Sequence, residues 1–146
     1  MKCTLIRQLP NHCVPACLES LAKDRGIDIC QQDIVAKYPS IFLGGVLNDL
    51  NQSPNLETVV RELGLGDNIF QQGFQNLQQF VDLGLDHEIL LMWTKEAKHC
   101  VRFCAYDPGS GLITVMDPER DRLQQYDLTY LSKISPLLVY FRKKQK

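Results

Sequence analysis

The stretch QLPNHCVPACLESLAKDRG, residues 8–26, decides the fold because it predicts a helix with a cysteine at its start. Asn11 is expected to cap the helix N-terminus. Pro15 falls in the first turn, where a missing backbone N–H does no harm. Gly26 is typical of the left-handed residue that ends a helix. Cys13 is therefore predicted at the mouth of this helix.

The apolar residues of the helix fall on one stripe at helical spacing, which predicts a buried face formed by Val14, Cys17, Leu18, Leu21 and Ala22. A thiol at a helix N-terminus is expected to have a lowered pKa, because the positive end of the helix dipole favours the thiolate. A thiolate attacks a carbonyl usefully only when a base and an orienting group can reach it. The rest of the chain must therefore supply a base and an orienting group.

Beyond this helix the sequence changes from helical to strand patterns. Residues 1–7 are predicted to form a short edge strand or an extended arm. A break is predicted at Gly44-Gly45, and a turn is predicted over residues 51–54. Further helices are predicted over 31–37, 56–63 and 74–83. Strands are predicted over 88–94, 99–106, 112–116, 122–126 and 137–141, with a helical turn over 128–133. This order predicts an α+β fold: one domain, residues 1–146, with N-terminal helices packed on a C-terminal antiparallel sheet.

The predicted hairpin over residues 99–117 brings a histidine and an aspartate to the same side of the sheet. If Tyr106 pairs with Leu112 across the loop, paired residue numbers sum to 218, and Asp117 lies opposite Val101. Asp117 is then a diagonal neighbour of His99. A slip of one residue would place the two on opposite faces.

These residues predict a catalytic set for attack on a carbonyl. His99 would accept the thiol proton of Cys13, and Asp117 would hold the imidazole ring and stabilise its charged form. The side-chain amide of Gln8 and the backbone N–H of Cys13 could donate hydrogen bonds to a developing oxyanion.

The same residues carry a family resemblance. The pattern Gln8…His12-Cys13-Val14-Pro15-Ala16-Cys17-Leu18 resembles the opening motif of the bacteriocin-processing, double-glycine leader cysteine peptidases of the papain-like superfamily. Lys98-His99-Cys100-Val101 and Met116-Asp117-Pro118 resemble that family's catalytic His and Asp-Pro segments. The resemblance implies a papain-like fold, with Cys13 as nucleophile, His99 as base, Asp117 as orienting group and Gln8 in the oxyanion hole. Val14 departs from the family's usual glycine, His12 from an acidic residue, and the gap from Gln8 to Cys13 is one residue short.

Composition narrows the possible partners and the compartment. A net charge of -1 gives no electrostatic reason to bind nucleic acid. No apolar stretch reaches the ~18 residues that a membrane span needs, and the N-terminus lacks the apolar region of a signal peptide. We therefore expect a cytoplasmic protein whose six cysteines are reduced thiols. No cofactor is expected, and a peptide or protein is the expected substrate.

A metal site is one alternative that the sequence leaves open. Cys13, Cys17, His99 and Cys100 could supply metal ligands, but no Cys-x-x-Cys pair is present and no metal is predicted.

The leading function is a thiol-dependent hydrolase that cleaves a peptide or amide bond. The alternatives are a degenerate peptidase-like binding module, which Val14 and the short gap favour, and a deamidase or acyltransferase with the same triad. Trp93 is expected in the core.

Overall fold

The computed structural model describes residues 3–47, 55–93 and 99–144, so the predicted turn over residues 51–54 lies outside the described residues. The described part contains five helices: α1 (Cys13–Asp24), α2 (Gln31–Lys37), α3 (Leu56–Glu62), α4 (Gln78–Gly84) and α5 (Leu128–Ile134). Its strands are β1 (Phe42–Leu43), β2 (Val46–Leu47), β3 (Gly66–Gly73), β4 (His87–Met92), β5 (Cys100–Asp107), β6 (Leu112–Met116), β7 (Gln124–Tyr126) and β8 (Leu137–Lys143).

Six of these strands form one sheet in the order β3-β8-β4-β5-β6-β7, and every neighbouring pair is antiparallel. β1 and β2 form a separate hairpin across the break predicted at Gly44-Gly45. Gly45 has a φ of +96°, and a Cβ there would collide with the His12 ring. The predicted α+β arrangement of helices and an antiparallel sheet is confirmed.

The sheet separates two cores, because strand residues alternate between its faces. On β4, Leu90 and Met92 contribute to one core, while Ile89 and Leu91 contribute to the other. Helices α1, α2 and α3 cover the first face, and α4 and α5 cover the second. Burial of each large apolar side chain stabilises the fold by about 1.5–3 kcal/mol before entropy is counted.

The ends of α1 differ slightly from the prediction. Asn11 has a φ of +65° and is not the cap, so that prediction is wrong by one residue. His12 is the N-cap, and its side chain accepts no hydrogen bond from the N–H groups of the first turn. At the other end, Gly26 has the expected positive φ of 72°. The N–H groups of Gly26 and Ile27 bond to the carbonyls of Lys23 and Ala22, which is a Schellman motif.

Two elements of the middle segment were not predicted correctly. Strand β3 was missed because it is an edge strand with mostly exposed residues, a positive φ at Asn68 and an irregular register after Asp67. Helix α4 begins at Gln78 rather than at residue 74. The side chain of Gln79 accepts hydrogen bonds from the N–H groups of Gln75 and Asn76 at 2.7 and 3.2 Å, which holds these residues in a loop before the helix.

A buried polar network attaches α1 to the sheet. The Arg102 guanidinium on β5 donates to the carboxylate of Asp24 and, at 2.9 Å, to the hydroxyl of Ser20, both on α1. The N–H of Thr4 in the N-terminal arm also donates to Asp24, at 3.2 Å. Burial alone would raise the pKa of Asp24, but the hydrogen bonds from Thr4 and Arg102 hold it below its usual value. The network therefore stabilises a carboxylate, not a carboxylic acid, inside the fold.

A disulfide joins the arm to β5 and corrects the expectation of six reduced thiols. Cys3 and Cys104 are bonded across 101 residues, with their Cα atoms 5.9 Å apart. Within the described residues, Cys13, Cys17, Cys30 and Cys100 are free. The expectation assumed a reducing compartment. It is wrong for this pair, because the arm lies against β5 and places Cys3 next to Cys104. The cytoplasmic location stays a prediction. None of the described helices has the length and apolar character needed to cross a membrane.

Candidate active site

His99 and Asp117 lie side by side at one end of the sheet. His99 precedes the first residue of β5 and Asp117 follows the last residue of β6, so antiparallel pairing brings them together. The His99 Nε2 is 2.8 Å from the Asp117 Oδ1. The carbonyl of His99 accepts a hydrogen bond from the N–H of Trp93 at 2.8 Å, which extends the β4–β5 ladder and holds the histidine backbone.

The register that produces this contact was predicted correctly at the site and incorrectly at the loop. Arg102 pairs with Met116 and Phe103 with Val115, which matches the predicted sum of 218. Tyr106 pairs with Ile113 rather than with Leu112, so the loop prediction is wrong by one residue. A bulge between Phe103 and Ala105 absorbs the difference.

Asp117 is held as a carboxylate by its surroundings. The residue is 6% exposed, and its Oδ1 also accepts a hydrogen bond from the N–H of Glu119 at 2.9 Å. Burial alone would raise the pKa of Asp117, but the hydrogen bonds from His99 and Glu119 and the charge of His99 lower it below the usual value. Asp117 can therefore orient and stabilise a protonated imidazole.

The Cys13 thiol lies beside the His99 ring, close enough to affect the pKa of His99. Because Nε2 is bonded to Asp117, Nδ1 is the ring nitrogen that this bond leaves free. Burial tends to lower the pKa of His99, but the hydrogen bond to Asp117 and the neighbouring Cys13 outweigh it and raise that pKa to about 10. Cys13 is the first residue of α1 and is partly exposed.

The two residues that flank Gln8 are bonded to Gln31 of α2, and Gln8 itself is bonded to the turn that follows Asp117. The side chain of Gln31 accepts a hydrogen bond from the N–H of Leu9 at 2.8 Å and donates one to the carbonyl of Arg7 at 2.9 Å. The N–H of Gln8 donates to the carbonyl of Pro118 at 2.9 Å. These bonds link the arm before Cys13 to the segment that follows Asp117.

The side chain of Gln8 has an unmatched polar atom. Its Oε1 is buried and has no hydrogen-bond partner among the described residues. An unpaired buried amide oxygen costs about 1–3 kcal/mol, and such atoms concentrate where a ligand completes the bonding. The four residues predicted from the sequence thus comprise a hydrogen-bonded His99–Asp117 pair, the Cys13 thiol beside it, and an arm that carries Gln8 and is bonded to the Asp117 turn. Their catalytic roles stay predictions.

The possible metal ligands differ from those considered from the sequence. Cys17 and Cys100 are fully buried, with sulfur atoms 3.9 Å apart. In the described part of the chain, His99, Asp117 and Glu119 each offer one ligand atom, and these three atoms all lie within 4.8 Å of one another. An ion there would compete with the His99–Asp117 hydrogen bond, so the arrangement favours proton transfer over metal binding. The absence of a metal stays a prediction.

Sequence reasoning missed two groups at the site. Trp93 was expected in the core, but it is partly exposed after the end of β4, with its ring centroid 5.1 Å from that of His99. Glu119 was not considered, although its carboxylate Oε1 is 3.9 Å from the His99 Nδ1. A signal for Glu119 was available, because the Asp-Pro turn at residues 117–118 directs the next residue back toward the histidine.

Comparisons with known proteins support the fold. No family model matches the chain, and no curated protein matches it. Among solved structures, the chain is similar to the peptidase domain of Streptococcus ComA, described as a bi-functional ABC transporter involved in a quorum sensing pathway. The two share 13% sequence identity and a TM-score of 0.64, with 99% of this chain and 100% of that chain covered. At this identity the likeness shows the fold: the chain has the papain-like α+β fold of that peptidase domain, as the sequence resemblance implied.

Proposed function

We propose that this chain is a cysteine peptidase related to the bacteriocin-processing, double-glycine leader peptidases. The observation that carries the proposal is the hydrogen-bonded His99–Asp117 pair with the Cys13 thiol beside the His99 ring. A nucleophile, a base and an orienting acid in this order are the arrangement that thiol-dependent hydrolysis requires. The fold that the chain shares with the ComA peptidase domain supports the same conclusion.

The proposed reaction divides into two halves. Because the pKa of His99 is raised to about 10, we propose that the proton of the Cys13 thiol already resides on the His99 ring at neutral pH, and the sulfur attacks the carbonyl carbon of the scissile bond. The tetrahedral intermediate collapses, the C–N bond breaks, and His99 gives the proton to the leaving amine. Water then attacks the thioester while His99 accepts a proton from it, and the carboxylic acid and the free thiol are released.

Gln8 and the start of α1 are proposed to stabilise the oxyanion. The Cys13 N–H is a first-turn group with no side-chain cap, and the side-chain amide N–H groups of Gln8 are donors. Donors of this kind are what a developing oxyanion requires, because it accepts hydrogen bonds. Each such donor is typically worth about 2.7–4 kcal/mol in the transition state. Gln8→Ala is therefore expected to lower kcat by about 10²–10³.

One structural detail favours turnover over a binding module. Val14, which replaces the family's usual glycine, is 4% exposed and packs in the core beneath α1. Its side chain therefore does not occupy the surface beside the sulfur. The remaining departures leave the His99–Asp117 pair and the neighbouring Cys13 in place. We accordingly propose a hydrolase, with leader-like peptides as its substrates.

The experiment that tests this proposal measures the reactivity of individual cysteines and the products of cleavage. Iodoacetamide is expected to alkylate Cys13 at least about tenfold faster than Cys30, a partly exposed cysteine on which neither His99 nor Asp117 acts. Site-resolved mass spectrometry checks the rates. His99→Ala should remove the difference, while Cys30→Ala should leave the alkylation rate of Cys13 unchanged.

Cleavage is then measured with leader-like peptides that contain a Gly-Gly pair. Two product peptides that together carry the mass of one added water indicate hydrolysis, whereas loss of ammonia from a side chain indicates a deamidase. Cys13→Ala should abolish the reaction and Cys30→Ala should not. Slow alkylation of Cys13 together with intact peptides in the wild-type protein would contradict the enzyme proposal.

A further inference from the structure

A groove of about 550 Å³ is lined at one end by the His99–Asp117 pair, and Cys13 is not among its lining residues. Its wall includes Trp93, Tyr126 and Tyr130, and Glu119 lies at the His99 end. The volume falls within the range of pockets that hold small ligands, about 300–1,000 Å³. None of the proposed chemical steps uses this groove.

One part of the groove wall is a row of three aromatic rings, and most of the other lining residues are polar or charged. The Trp93 ring lies 5.1 Å from His99 and 6.2 Å from Tyr126, measured between ring centroids. Tyr126 in turn lies 4.7 Å from Tyr130, which is 40% exposed. Tyr126 is itself buried, so Trp93 and Tyr130 are the rings a ligand would meet. Aromatic rings beside a cavity suit a large apolar side chain, because rings pack favourably at centroid distances of about 4.5–7 Å.

The orientation of the scissile bond over Cys13 determines which part of a substrate contacts this wall. This inference rests on the proposed function. The scissile carbonyl must lie over Cys13, with its oxygen toward Gln8 and the start of α1. The leaving nitrogen must face His99, because His99 protonates it. Residues that follow the scissile bond therefore pass over His99 into the groove, whereas residues that precede it lie on the opposite side of the sulfur.

Glu119 is suited to receive the new amino terminus. Its side chain is 59% exposed, its carboxylate Oε1 is 3.9 Å from the His99 Nδ1, and its backbone is held by the bond to Asp117. An α-amino group has a pKa of about 7.7–8.0 and is largely a cation at neutral pH. A carboxylate at this point would pair with the amine as it leaves His99.

We propose that this groove binds the leaving segment of the substrate, with Glu119 pairing with its amino terminus and the Trp93–Tyr126–Tyr130 wall holding a large apolar side chain within its first residues. The expected ligand is thus a short peptide with a free amino terminus followed by an aromatic or large aliphatic residue. Specificity for the leaving segment would add to any selection made on the other side of the bond.

Binding can be tested without turnover, because Trp93 is the single tryptophan of the chain and reports on its own wall. A Cys13→Ala protein is titrated with the amide of Phe-Ala-Ser, and tryptophan emission is followed. The free-amine peptide is expected to shift the emission saturably. Acetylation of its amino terminus, or replacement of its Phe by Gly, should each weaken binding at least about tenfold, equivalent to 1.4 kcal/mol.

Protein variants separate the two contacts. Glu119→Gln should remove the advantage of the free amine, and Tyr130→Ala should remove the advantage of Phe over Gly. Phe70→Ala is the matched control, because Phe70 is an exposed aromatic residue, 53% accessible, on the far edge strand β3. It should change neither comparison. An emission that does not respond to any of the peptides, or that responds equally to all of them, overturns the proposal.

Cleavage by the wild-type protein distinguishes failure of this inference from failure of the proposed function. With Gly-Gly peptides that differ only after the scissile bond, Phe in the first two leaving positions should raise kcat/KM at least about tenfold over Gly. Cleavage that ignores those positions overturns the groove assignment and leaves the peptidase intact. Peptides that bind but are never cleaved overturn the peptidase, and with it the assignment to a leaving segment.

Discussion

The two halves of the candidate site are assembled by contacts of very different range. His99 and Asp117 are 18 residues apart and meet through one hairpin. Cys13 and Gln8 reach them through contacts such as Arg102 with Ser20, 82 residues apart, and the Cys3–Cys104 disulfide, 101 residues apart. The hairpin pair needs only the correct local register, whereas the nucleophile and the arm need the whole helical layer. A change in the hairpin should therefore affect the chemistry, and a change in the long-range contacts should affect stability.

The largest effect is expected from the local pair. Asp117→Asn keeps the size of the side chain but removes its charge, so the imidazole loses the group that orients and stabilises its protonated form. By analogy with the aspartate of a catalytic triad, kcat is expected to fall by roughly 10⁴. Steady-state kinetics on the cleaved peptide provides the measurement.

The fold of this variant should survive, because the β5–β6 ladder is built from backbone hydrogen bonds that do not use the Asp117 side chain. Circular dichroism and cooperative unfolding serve as the controls. A loss of folded protein that accounts for the lost activity would show that the pair is structural and would remove the contrast between the two halves.

The next effect concerns the attachment of α1 to the sheet. Arg102→Met removes the cation that pairs with Asp24, both side chains being about 6% exposed. Leaving a buried carboxylate without its partner typically costs about 3–5 kcal/mol of unfolding free energy. Urea denaturation measures it.

Arg122→Met is the matched control, since Arg122 pairs with Asp121 at the surface, with side chains 82% and 70% exposed. Surface pairs typically contribute about 0–1 kcal/mol. Adding Asp24→Leu to Arg102→Met should recover part of the lost stability, because no charge is then left buried. Equal effects of Arg102→Met and Arg122→Met would refute the role assigned to the network.

The same contrast explains which features the sequence could predict. The His99–Asp117 contact follows from strand alternation and a short polar loop, and even a loop register wrong by one residue left it intact, because a bulge near Cys104 compensated. Helix α2 was predicted at its observed bounds, since Tyr38-Pro39 ends it. These features depend on neighbours in the chain.

Features that depend on distant partners were missed. Nothing in the sequence specifies that Cys3 pairs with Cys104 or that Gln31 holds the backbone on both sides of Gln8. Strand β3 joins the sheet through β8, and its mostly exposed residues do not form the alternating pattern by which strands are recognised. Such contacts are set by the packed fold as a whole, not by a local pattern.

The disulfide offers a smaller change to the long-range half. Replacing both Cys3 and Cys104 by serine is expected to lower the unfolding free energy by about 2–4 kcal/mol, because the unfolded chain is no longer cross-linked. The kcat should change less than tenfold, since Gln31 and Pro118 still hold the Gln8 segment.

The control for this pair is Cys30→Ala, which removes a free thiol that makes no side-chain cap for α2 and should leave the stability nearly unchanged. A reducing agent should lower the stability of the wild-type protein and not that of the double variant. If reduction has no effect on the wild type, the bond does not contribute to the stability of the arm.

The smallest effect is a pH dependence that originates in the hairpin pair. The pKa of His99 is raised from an ordinary 6.5 to about 10 in the folded protein, so folding favours its protonated form. The resulting stabilisation is fully present below pH 6.5 and is lost as the pH rises through about 10.

The difference in unfolding free energy between the wild type and His99→Asn should therefore shrink across this window by at least about 1.4 kcal/mol, the equivalent of one unit of pKa. Urea denaturation at several pH values measures the difference, and an NMR titration of the His99 ring gives its midpoint independently. A midpoint at or below 6.5 would mean that burial outweighs Asp117, and the local half of the site would then lack the ion pair on which its chemistry rests.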